Sequence, residues 1–523
     1  MLHLPVGINT FSSIRTGGYV YVDKTEHVHR LVLKQGRYFL SRPRRFGKSL
    51  FLDTLKELFE GNEKLFQGLY IHDKWDWDAV HPVIKLDFGE GRLRGMDSLQ
   101  EKIDELLIVN QQRLGVELQF KSNSGRFAEL IRLTHEQTGR RAVVLIDEYD
   151  KPILDNLEHP DTAREMREEL QDLYSALKPQ DGHIQCIFMT GVSKFSKVSL
   201  FSDLNNLEDL TIDSRFATIC GYTQQELETC FADHLSDVDL EHFRQWYNGY
   251  QWLGEPVYNP FDVLLFLQKG KAYRNYWFET GSPSFLIRLF QQKRYFLPNL
   301  EGIEVGEEIL NSFDVDTLTP ETLLFQAGYL TIAENLERYG EQRYVLRVPN
   351  REVRLALNNS LISGYTQLAA EKFYIKDHVR QALLDADLPA LRDIIHRLFA
   401  AIPYRNFTNT DLLDCEGWYA SVLYAFFASL DARIIPEDVT NKGQADLTVI
   451  LENRIFVMEI KLVQAAEIKG NPALEQIRVK GYSEKYKGRA GMSLHELGMI
   501  FSKAERNLIA LDGREVQGTG EAG

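Results

Sequence analysis

The sequence predicts an α/β protein of several domains. Its 523 residues correspond to about three domains at roughly 100–200 residues each. Hydrophobic residues make up 44% of the chain and charged residues 26%, which is the composition of a folded protein. Before residue 220, short apolar segments alternate with helical patterns, as is typical of a parallel sheet covered on both faces. The apolar segments are 37–41, 82–87, 142–146 and 184–190, and the clearest helical patterns are 49–59 and 162–177.

The middle of the chain is predicted to be mainly helical. Residues 223–300 have helical patterns rich in aromatic side chains, and 376–402 is predicted to be helical and to connect to the last domain. Between them, the order of helix, hairpin and helix is compatible with a small winged-helix-like module. Its predicted elements are helix 320–327, strands 328–332 and 343–348, and helix 350–361.

The last region is predicted to be a second α/β domain with helix 415–430, a hairpin of strands 445–451 and 454–462, and helix 472–486. The chain therefore divides into domains at 1–222, 223–400 and 401–512. A Gly-rich tail at 513–523 is expected to be flexible.

Composition excludes several classes of protein. The charge balance of 60 basic against 75 acidic residues, −15, excludes a surface coated with basic groups but leaves room for a local basic groove. Four scattered cysteines are too few for a disulfide scaffold or a CxxC metal site. Apolar runs fall short of the roughly 20 residues that span a bilayer, and the N-terminus lacks a signal-peptide pattern. We expect a cytoplasmic protein that does not bind membranes.

A candidate phosphate-binding loop lies between the first predicted strand and the next helix. The segment 41–50 reads SRPRRFGKSL, and its Gly47, Lys48 and Ser49 match the second half of GxxxxGK[ST]. In that motif, backbone N–H groups hold phosphate at a helix N-terminus, the lysine reaches the β- and γ-phosphates of ATP, and the hydroxyl binds Mg²⁺. Arg42 stands where the motif has its first glycine, so the tripeptide alone fits a basic turn equally well.

A pair of acids at the end of a later strand supports the nucleotide-binding interpretation. The apolar strand 143–146 leads directly into Asp147 and Glu148. Nucleotide hydrolases of this kind place one acid near Mg²⁺ and use another polar group to orient the attacking water. We predict that Asp147 helps to hold Mg²⁺ and that Glu148 polarises the water, whereas a solvated acidic turn is the alternative. Thr190 or Ser193, after the next strand, could contact the γ-phosphate, and Arg215 is a weaker candidate.

A second set of candidate residues lies on the C-terminal hairpin. Asp446 opens one strand, and Glu459 and Lys461 close the next. Residues two apart on a strand share a face, so Glu459 and Lys461 lie side by side, which is costly in a buried strand unless the charges are paired or used. Asp446 and Glu459 are predicted ligands of Mg²⁺, with Lys461 beside the water that attacks a phosphodiester. A structural Glu–Lys pair is the alternative.

Flanking helices add polar and basic side chains to this hairpin. Glu416 precedes it, and Gln476 and Tyr482 follow it. The segment 478–489 contains five basic residues and one acid, Glu484, and is a candidate contact for a phosphate backbone. A solvated helix face is the alternative.

Taken together, the motifs resemble those of bacterial and archaeal AAA-ATPase-like proteins with a C-terminal PD-(D/E)XK nuclease domain. The resemblance covers most of the chain and rests on YVDKT (21–25), RPRRFGKS (42–49), LIDEYD (145–150), TGVSKF (190–195), FSDLNNL (201–207), CGYT (220–223), YNP (258–260) and PNREV (349–353). Near the C-terminus it rests on EGWYAS (416–421), EDVTNKG (437–443), Asp446, EIK (459–461) and ALEQI (473–477).

The resemblance implies an N-terminal P-loop NTPase domain with a parallel sheet, a helical or winged-helix-like middle, and a C-terminal PD-(D/E)XK nuclease-like domain. It implies ATP binding through Lys48 and Ser49, and nuclease residues Asp446, Glu459 and Lys461, aided by Glu416 and Gln476. The family commonly has GRxD before the first nuclease acid, whereas this chain has Gln444. This departure bears on substrate contact more than on metal binding.

The sequence favours an ATP-regulated, Mg²⁺-dependent nuclease that acts on nucleic acid, with DNA preferred over RNA. The alternative is a nucleotide-dependent switch or scaffold whose nuclease-like domain binds without cutting. A DNA-binding regulator acting through the winged-helix-like segment ranks last, because 310–365 lacks a strongly basic helix. A homo-oligomer is compatible with the sequence.

Overall fold

The protein forms two compact units. A computed structural model describes residues 2–194, 206–277, 284–293, 295–311, 318–366, 368, 371–402 and 416–516. The first unit comprises Met1–Thr280 and Glu304–Arg351, and the second comprises Gly281–Ile303 and Glu352–Gly523. The described residues contain no helix that combines the length and hydropathy needed to cross a membrane.

Helices and strands alternate along most of the chain. The helices are α1 Phe11–Thr16, α2 Thr25–Val32, α3 Lys48–Phe59, α4 Met96–Leu114, α5 Asn123–Thr138, α6 Lys151–Leu154, α7 Pro160–Ser175, α8 Gln224–Cys230, α9 Ala232–Leu235, α10 Leu240–Tyr247, α11 Pro260–Gln268, α12 Ser284–Gln292, α13 Glu307–Asn311, α14 Pro320–Ala327, α15 Arg351–Thr366, α16 Lys372–Asp385, α17 Leu388–Ala400, α18 Glu416–Ala428 and α19 Pro472–Lys480. The strands are β1 Gly36–Ser41, β2 Val83–Asp87, β3 Ala142–Asp147, β4 Ile184–Gly191, β5 Glu208–Asp209, β6 Ile303–Gly306, β7 Thr331–Arg338, β8 Glu341–Arg347, β9 Arg433–Thr440, β10 Gly443–Leu451, β11 Arg454–Val463, β12 Ser493–Ser502 and β13 Asn507–Glu515.

The first unit is built on the parallel sheet that the apolar segments predict. Its strand order is β2-β3-β4-β1-β5, and all four pairings are parallel. Apolar side chains of α4, α5 and α7 pack on one face. On α3, Phe51 contacts Phe188 of β4 with ring centroids 5.5 Å apart, and α3 lies against β3 and β4. Because adjacent parallel strands end at the same edge, the sheet brings four strand ends and their loops together.

The middle region contains the predicted helix and hairpin. Helix α14 is followed by the antiparallel hairpin β7–β8, which forms a three-stranded sheet with β6 in the order β6-β8-β7. The next helix, α15, lies almost entirely in the second unit. The predicted order of helix, hairpin and helix is confirmed. The last of these elements, α15, belongs to the second unit together with the C-terminal sheet.

The second unit contains a mixed five-stranded sheet of order β13-β12-β11-β10-β9. The predicted hairpin is present as β10–β11, whereas β9, β12 and β13 were not predicted. The segment 376–402 is helical as predicted, and it is divided between α16 and α17. Ala386 has φ +53°, and the Asp387 side chain accepts a hydrogen bond from Ala390 N at 3.0 Å, which caps α17. The last predicted helix ends earlier, because Gly481 at φ +64° caps α19.

Strand β13 extends into the first residues of the segment 513–523, which is expected from the sequence to be a flexible tail. Gly513, Arg514 and Glu515 pair with Leu497, Glu496 and His495 in the β12–β13 ladder. Their backbone groups are therefore satisfied by β12, which holds them in the sheet. Residues 517–523 lie outside the described residues, as do 403–415 next to the predicted domain boundary at 401.

Candidate functional sites

The loop between β1 and α3 has the backbone of an anion-binding turn. Gly47 has φ +93° at the N-cap of α3, a conformation that favours glycine, and a Cβ added there would meet no atom within 4 Å. The N–H groups of Gly47, Lys48 and Ser49 have no hydrogen-bond acceptor among the described residues. Such N–H groups at the positive end of a 12-residue helix are a favourable place for phosphate.

Lys48 folds back over this loop. Its Nζ atom donates to the carbonyl oxygens of Arg42 at 2.9 Å and Pro43 at 3.0 Å, and the residue is 5% exposed. Burial lowers the pKa of Lys48, and the nearby Glu148 and Asp147 carboxylates oppose that decrease. No carboxylate among the described residues forms an ion pair with Lys48, so its Nζ atom is available to an anion that enters the loop.

Arg42, which replaces the first motif glycine, has its own buried site. It is 1% exposed, and its guanidinium donates to the carbonyl oxygens of Ser41 at 2.9 Å, Thr211 at 2.8 Å and Phe216 at 3.2 Å. The same group lies 4.2 Å from the ring centroid of Trp252. The side chain therefore ties the loop to the segments after β5 and α10.

Asp147 and Glu148 lie at the carboxyl edge of the sheet, close to Lys48. Asp147 is 1% exposed, and its Oδ1 atom accepts hydrogen bonds from the hydroxyl of Thr190 and from Glu148 N. Glu148 has φ +49°, an uncommon conformation for a glutamate. Burial raises the pKa of Glu148, and Lys48 opposes that increase. Its carboxylate has no hydrogen-bond partner in the described part of the chain.

Two acids of this edge were not singled out from the sequence. Asp87 ends β2 in register with Asp147, and a Cβ added at Gly89 would lie 3.0 Å from Asp87 and 3.4 Å from Glu148. Asp150 is fully buried and accepts hydrogen bonds from the N–H groups of Val192 and Ser193. The only sequence signal for Asp87 is its place at a strand end.

The other phosphate candidates fall into different environments. Thr190 contacts Asp147, as described above. Ser193 is buried, with its carbonyl oxygen accepting from the Tyr149 hydroxyl at 2.9 Å. Arg215 is exposed and forms ion pairs with Asp213 and with Glu208, the latter at 3.0 Å. These two carboxylates compensate its charge at the surface.

These residues fit a bound nucleotide with Mg²⁺. The open space at Gly47 and the unpaired N–H groups would accommodate phosphates, and Lys48 would reach them. The half-buried Ser49 and the buried Asp147 are the oxygen donors that Mg²⁺ requires.

The C-terminal hairpin brings the second set of predicted residues together. Glu459 is 1% exposed, and its Oε1 atom lies 3.0 Å from Lys461 Nζ. Asp446 Oδ2 accepts a hydrogen bond from Ile460 N at 2.7 Å. Strand β11 therefore supplies the acid, the lysine and the N–H group that fixes the acid of β10.

Residues from both flanking helices complete this site. Glu416, at the start of α18, accepts a hydrogen bond from Leu462 N at 3.2 Å and lies 3.8 Å from Lys461. Gln476 of α19 donates to Glu459 Oε1 and lies 3.4 Å from the Tyr482 hydroxyl. Glu416 and Gln476 thus lie beside Lys461 and Glu459.

The carboxyl groups of Asp446 and Glu459 both have raised pKa values. Burial raises the pKa of Asp446 to about 6, and the Ile460 N–H group and Lys461 oppose the increase. Burial also raises the pKa of Glu459 to about 7, with the Asp446 charge adding to it and Lys461 opposing it. Two acids that repel each other at a buried position are stabilised by a cation between them.

The chemistry of the site fits Mg²⁺. Glu459 Oε2 is buried and has no hydrogen-bond partner among the described residues, so it remains available as a ligand. In the described part of the chain, no cluster of three or more His, Cys, Asp or Glu side chains is arranged to hold a metal. Two carboxylates are nevertheless sufficient for Mg²⁺, which keeps several waters.

The basic segment 478–489, which begins in the last turn of α19, is only partly available to a ligand. Arg478 pairs with Glu475 at 3.0 Å, and Lys485 pairs with the buried Asp438. Lys480 and Lys487 are exposed and have no ion pair in the described ranges. Gln444, at the position of the missing basic residue, is exposed and lies 3.3 Å from Glu437.

Comparison with known proteins identifies the domains in which the two candidate sites lie. Residues 5–201 match the family model described as "Predicted AAA-ATPase", and residues 414–510 match the "PD-(D/E)XK nuclease superfamily". The chain is also 47% identical over 508 residues to "Uncharacterized protein in vnfD 5'region" of Azotobacter chroococcum mcd 1, an alignment that covers 97% of this chain and 98% of that relative. The chain belongs to the AAA-ATPase-like proteins with a PD-(D/E)XK nuclease domain. The AAA-ATPase-like match contains Lys48, Asp147 and Glu148, and the nuclease-superfamily match contains Asp446, Glu459 and Lys461.

Proposed function

We propose that this protein is an ATP-binding, Mg²⁺-dependent phosphodiester hydrolase that acts on nucleic acid, DNA rather than RNA, under the control of the nucleotide. The observation that carries the proposal is the convergence of Asp446, Glu459 and Lys461 on one buried site in a chain that also has a phosphate-binding loop. Glu459 Oε2 is buried without a partner there, which is costly for a purely structural acid.

The N-terminal residues have separate proposed roles. The N–H groups of 47–49 and the Lys48 ammonium bind the phosphates of ATP. Asp147 and Ser49 hold Mg²⁺, which neutralises charge on the phosphates. Glu148, whose carboxylate is unpaired and whose pKa is raised by burial, accepts a proton from the attacking water. Thr190 orients Asp147 through its hydrogen bond.

The C-terminal residues also have separate proposed roles, here in phosphodiester hydrolysis. Asp446 and Glu459 would hold Mg²⁺, which would supply a water of lowered pKa and neutralise negative charge on the phosphate. Lys461 holds its ammonium beside Glu459 and stabilises the charge that develops on the attacked phosphate. Gln476 orients Glu459 from the opposite helix.

The second candidate function is a nucleotide-dependent switch or scaffold whose nuclease-like domain binds without cutting. The observation that favours it is Gln444, which pairs with Glu437 where the family commonly has a basic residue. A site with one cation fewer binds a phosphate backbone more weakly.

The deciding experiment is a cleavage assay on plasmid, linear and single-stranded DNA and on RNA, with Mg²⁺ and with or without ATP. The variants are Asp446→Asn, which keeps the hydrogen bond from Ile460 but loses the charge, and Lys48→Ala. The matched controls are Asp393→Asn and Lys64→Ala, which change exposed residues outside both sites.

Three outcomes separate the candidates. Two results together support the regulated hydrolase. Asp446→Asn loses cleavage, and ATP alters cleavage by the wild type but not by Lys48→Ala. Cleavage that is the same in Asp446→Asn and in wild type refutes it. Nucleotide binding without cleavage of any substrate favours the switch or scaffold.

A further inference from the structure

Helix α16 exposes two adjacent aromatic side chains. Phe373 is 59% exposed and Tyr374 is 60% exposed, in the first turn of the helix. The buried face of α16 is formed by Ile375, Val379 and Leu383. No other two neighbouring aromatic residues are this exposed in the described ranges. Packing among the described residues therefore leaves more than half of each of these side chains exposed.

Two lysines flank the rings and lack acidic partners. Lys372 Nζ donates to Ser363 Oγ and Lys376 Nζ to Asn359 Oδ1, each at 3.2 Å. Both acceptors are neutral side chains of α15. The two Nζ atoms lie 5.4 and 5.8 Å from the Phe373 ring centroid, so both charges lie around one ring. Neither lysine forms an ion pair with a described residue.

This arrangement is unfavourable without an anion. Like charges four residues apart on a helix repel each other. Burial lowers the pKa of Lys376, the charge of Lys372 adds to the decrease, and Asp377 opposes it. Glu371 and Asp377 are the acids beside the pair in sequence, and both are exposed. Lys372 and Lys376, which donate to neutral side chains, therefore form a local positive site, although the whole chain has a net charge of −15.

His378 extends this surface by one turn. Its ring lies 3.9 Å from that of Tyr374, and its Nδ1 atom lies 2.8 Å from Tyr374 O. We call Lys372, Phe373, Tyr374, Lys376 and His378 the α16 cluster. Exposed rings beside ammonium groups are the combination that binds single strands, because unpaired bases stack on aromatic rings while cations contact the phosphates.

The α16 cluster lies in the same unit as the carboxylate–lysine site. Arg380, two residues after His378, pairs with Glu452 at 2.5 Å in the turn between β10 and β11. Strand β11 begins at Arg454, two residues after Glu452, and reaches Glu459 five residues later, about 17 Å along the strand.

We infer that the α16 cluster binds a single-stranded segment of nucleic acid, with phosphates at Lys372 and Lys376 and a base stacked on Phe373 or Tyr374. This inference rests on the proposed nucleic-acid function and adds to it a binding site outside the cleavage site. Stacking requires unpaired bases, so the site distinguishes single strands and frayed ends from intact duplex.

The test measures binding of fluorescent single-stranded and duplex oligonucleotides by anisotropy, in EDTA so that no cleavage occurs, over a range of salt. The variants are Lys372→Gln/Lys376→Gln, Phe373→Ala/Tyr374→Ala and Asp446→Asn. Glutamine can still donate to Ser363 and Asn359, so the first variant removes only the charges. Lys372→Arg/Lys376→Arg restores the charges, and Lys469→Gln is the control at an exposed lysine.

We expect the glutamine variant to bind more weakly and to lower the salt slope by about 1.4, the value for two phosphates of a single strand. The arginine variant retains affinity. The alanine variant loses about 5- to 100-fold for single strands at an unchanged salt slope. The Asp446→Asn variant still binds.

Three outcomes would overturn the inference, and they are distinguishable. Wild-type affinity and salt slope in the glutamine and alanine variants, with normal cleavage by the wild type, overturn the inference and leave the proposed function intact. Wild-type protein that binds no oligonucleotide in EDTA and cleaves no substrate with Mg²⁺ overturns both. Equal competition by polyglutamate shows that the site takes acidic polymers in general and overturns the assignment to nucleic acid.

Discussion

Lys461 Nζ lies 3.0 Å from Glu459 Oε1, and the two residues are separated by a single position on β11. The intervening Ile460 donates its N–H group to Asp446. Three consecutive residues of β11 therefore position the site. Glu459 supplies an anion, Lys461 supplies a cation, and the N–H group of Ile460 holds the second anion, Asp446. The strand is rigid because it pairs with β10 on one side and β12 on the other.

Replacement of Lys461 by methionine is expected to reduce cleavage by about 100-fold or more, because the cation that stabilises charge on the phosphate is lost. The methionine keeps much of the apolar stem, so the thermal unfolding temperature should change little. Initial cleavage rates on the preferred substrate provide the measurement, and Lys469→Met is the control. A rate within threefold of wild type would mean that Lys461 only pairs with Glu459.

Stability without metal should depend on pH through Glu459 and Asp446. Their pKa values are raised to about 7 and about 6 in the folded protein, above ordinary values of about 4.3 and 3.9. The protonated acids therefore stabilise the fold fully below about pH 4, and this contribution is lost as the pH rises through 6 to 7. Glu459→Gln mimics the protonated acid.

We expect Glu459→Gln to unfold at a higher temperature than wild type at pH 8 in EDTA, and the difference to shrink towards pH 5. Added Mg²⁺ should stabilise wild type more at pH 8 than at pH 5, because the metal requires ionised carboxylates. Scanning fluorimetry across this pH range is the measurement. A difference between variant and wild type that does not change with pH would contradict the raised pKa of Glu459.

Replacement of Thr190 by valine should separate nucleotide binding from hydrolysis. Valine has nearly the same shape but cannot donate to Asp147, so the carboxylate loses a buried hydrogen bond. We expect ATP affinity within about threefold of wild type and a roughly tenfold lower ATPase rate. This corresponds to about 1.4 kcal/mol.

Fluorescent-nucleotide binding and phosphate release measure the two effects of Thr190→Val. Thr190→Ser keeps the hydroxyl and should retain activity. If the valine variant hydrolyses ATP at the wild-type rate, the contact between Thr190 and Asp147 has no part in hydrolysis.

Arg42 is expected to stabilise the first unit. Arg42→Met removes a buried cation that donates to three carbonyl oxygens and lies over Trp252. The loss should be about 2–4 kcal/mol, because the carbonyl groups stay buried without their donor. Urea unfolding followed by tryptophan fluorescence measures it, with Arg140→Met at an exposed position as control. Equal unfolding midpoints for Arg42→Met and wild type would show that the buried site is not stabilising.

Local patterns were sufficient for the strands and loops that carry the predicted residues. The apolar runs predicted β1 to β4 because parallel strands covered on both faces are apolar throughout. Alternation on β11 predicted that Glu459 and Lys461 share a face, and they form an ion pair. The break between α16 and α17 also had a local signal, since Asp387 and Pro389 form a helix start.

The sequence by itself determined the two α/β regions, the glycine-containing loop between β1 and α3, and the acid–lysine hairpin, because each depends on residues close together in the chain. Tertiary structure decided the partners of β9, β12 and β13, the buried position of Arg42, and the approach of Asp87 to Glu148. These features depend on segments tens to hundreds of residues apart, such as Arg42 and Trp252. No local pattern encodes such a distance, because strand register and side-chain burial are set only when the segments pack.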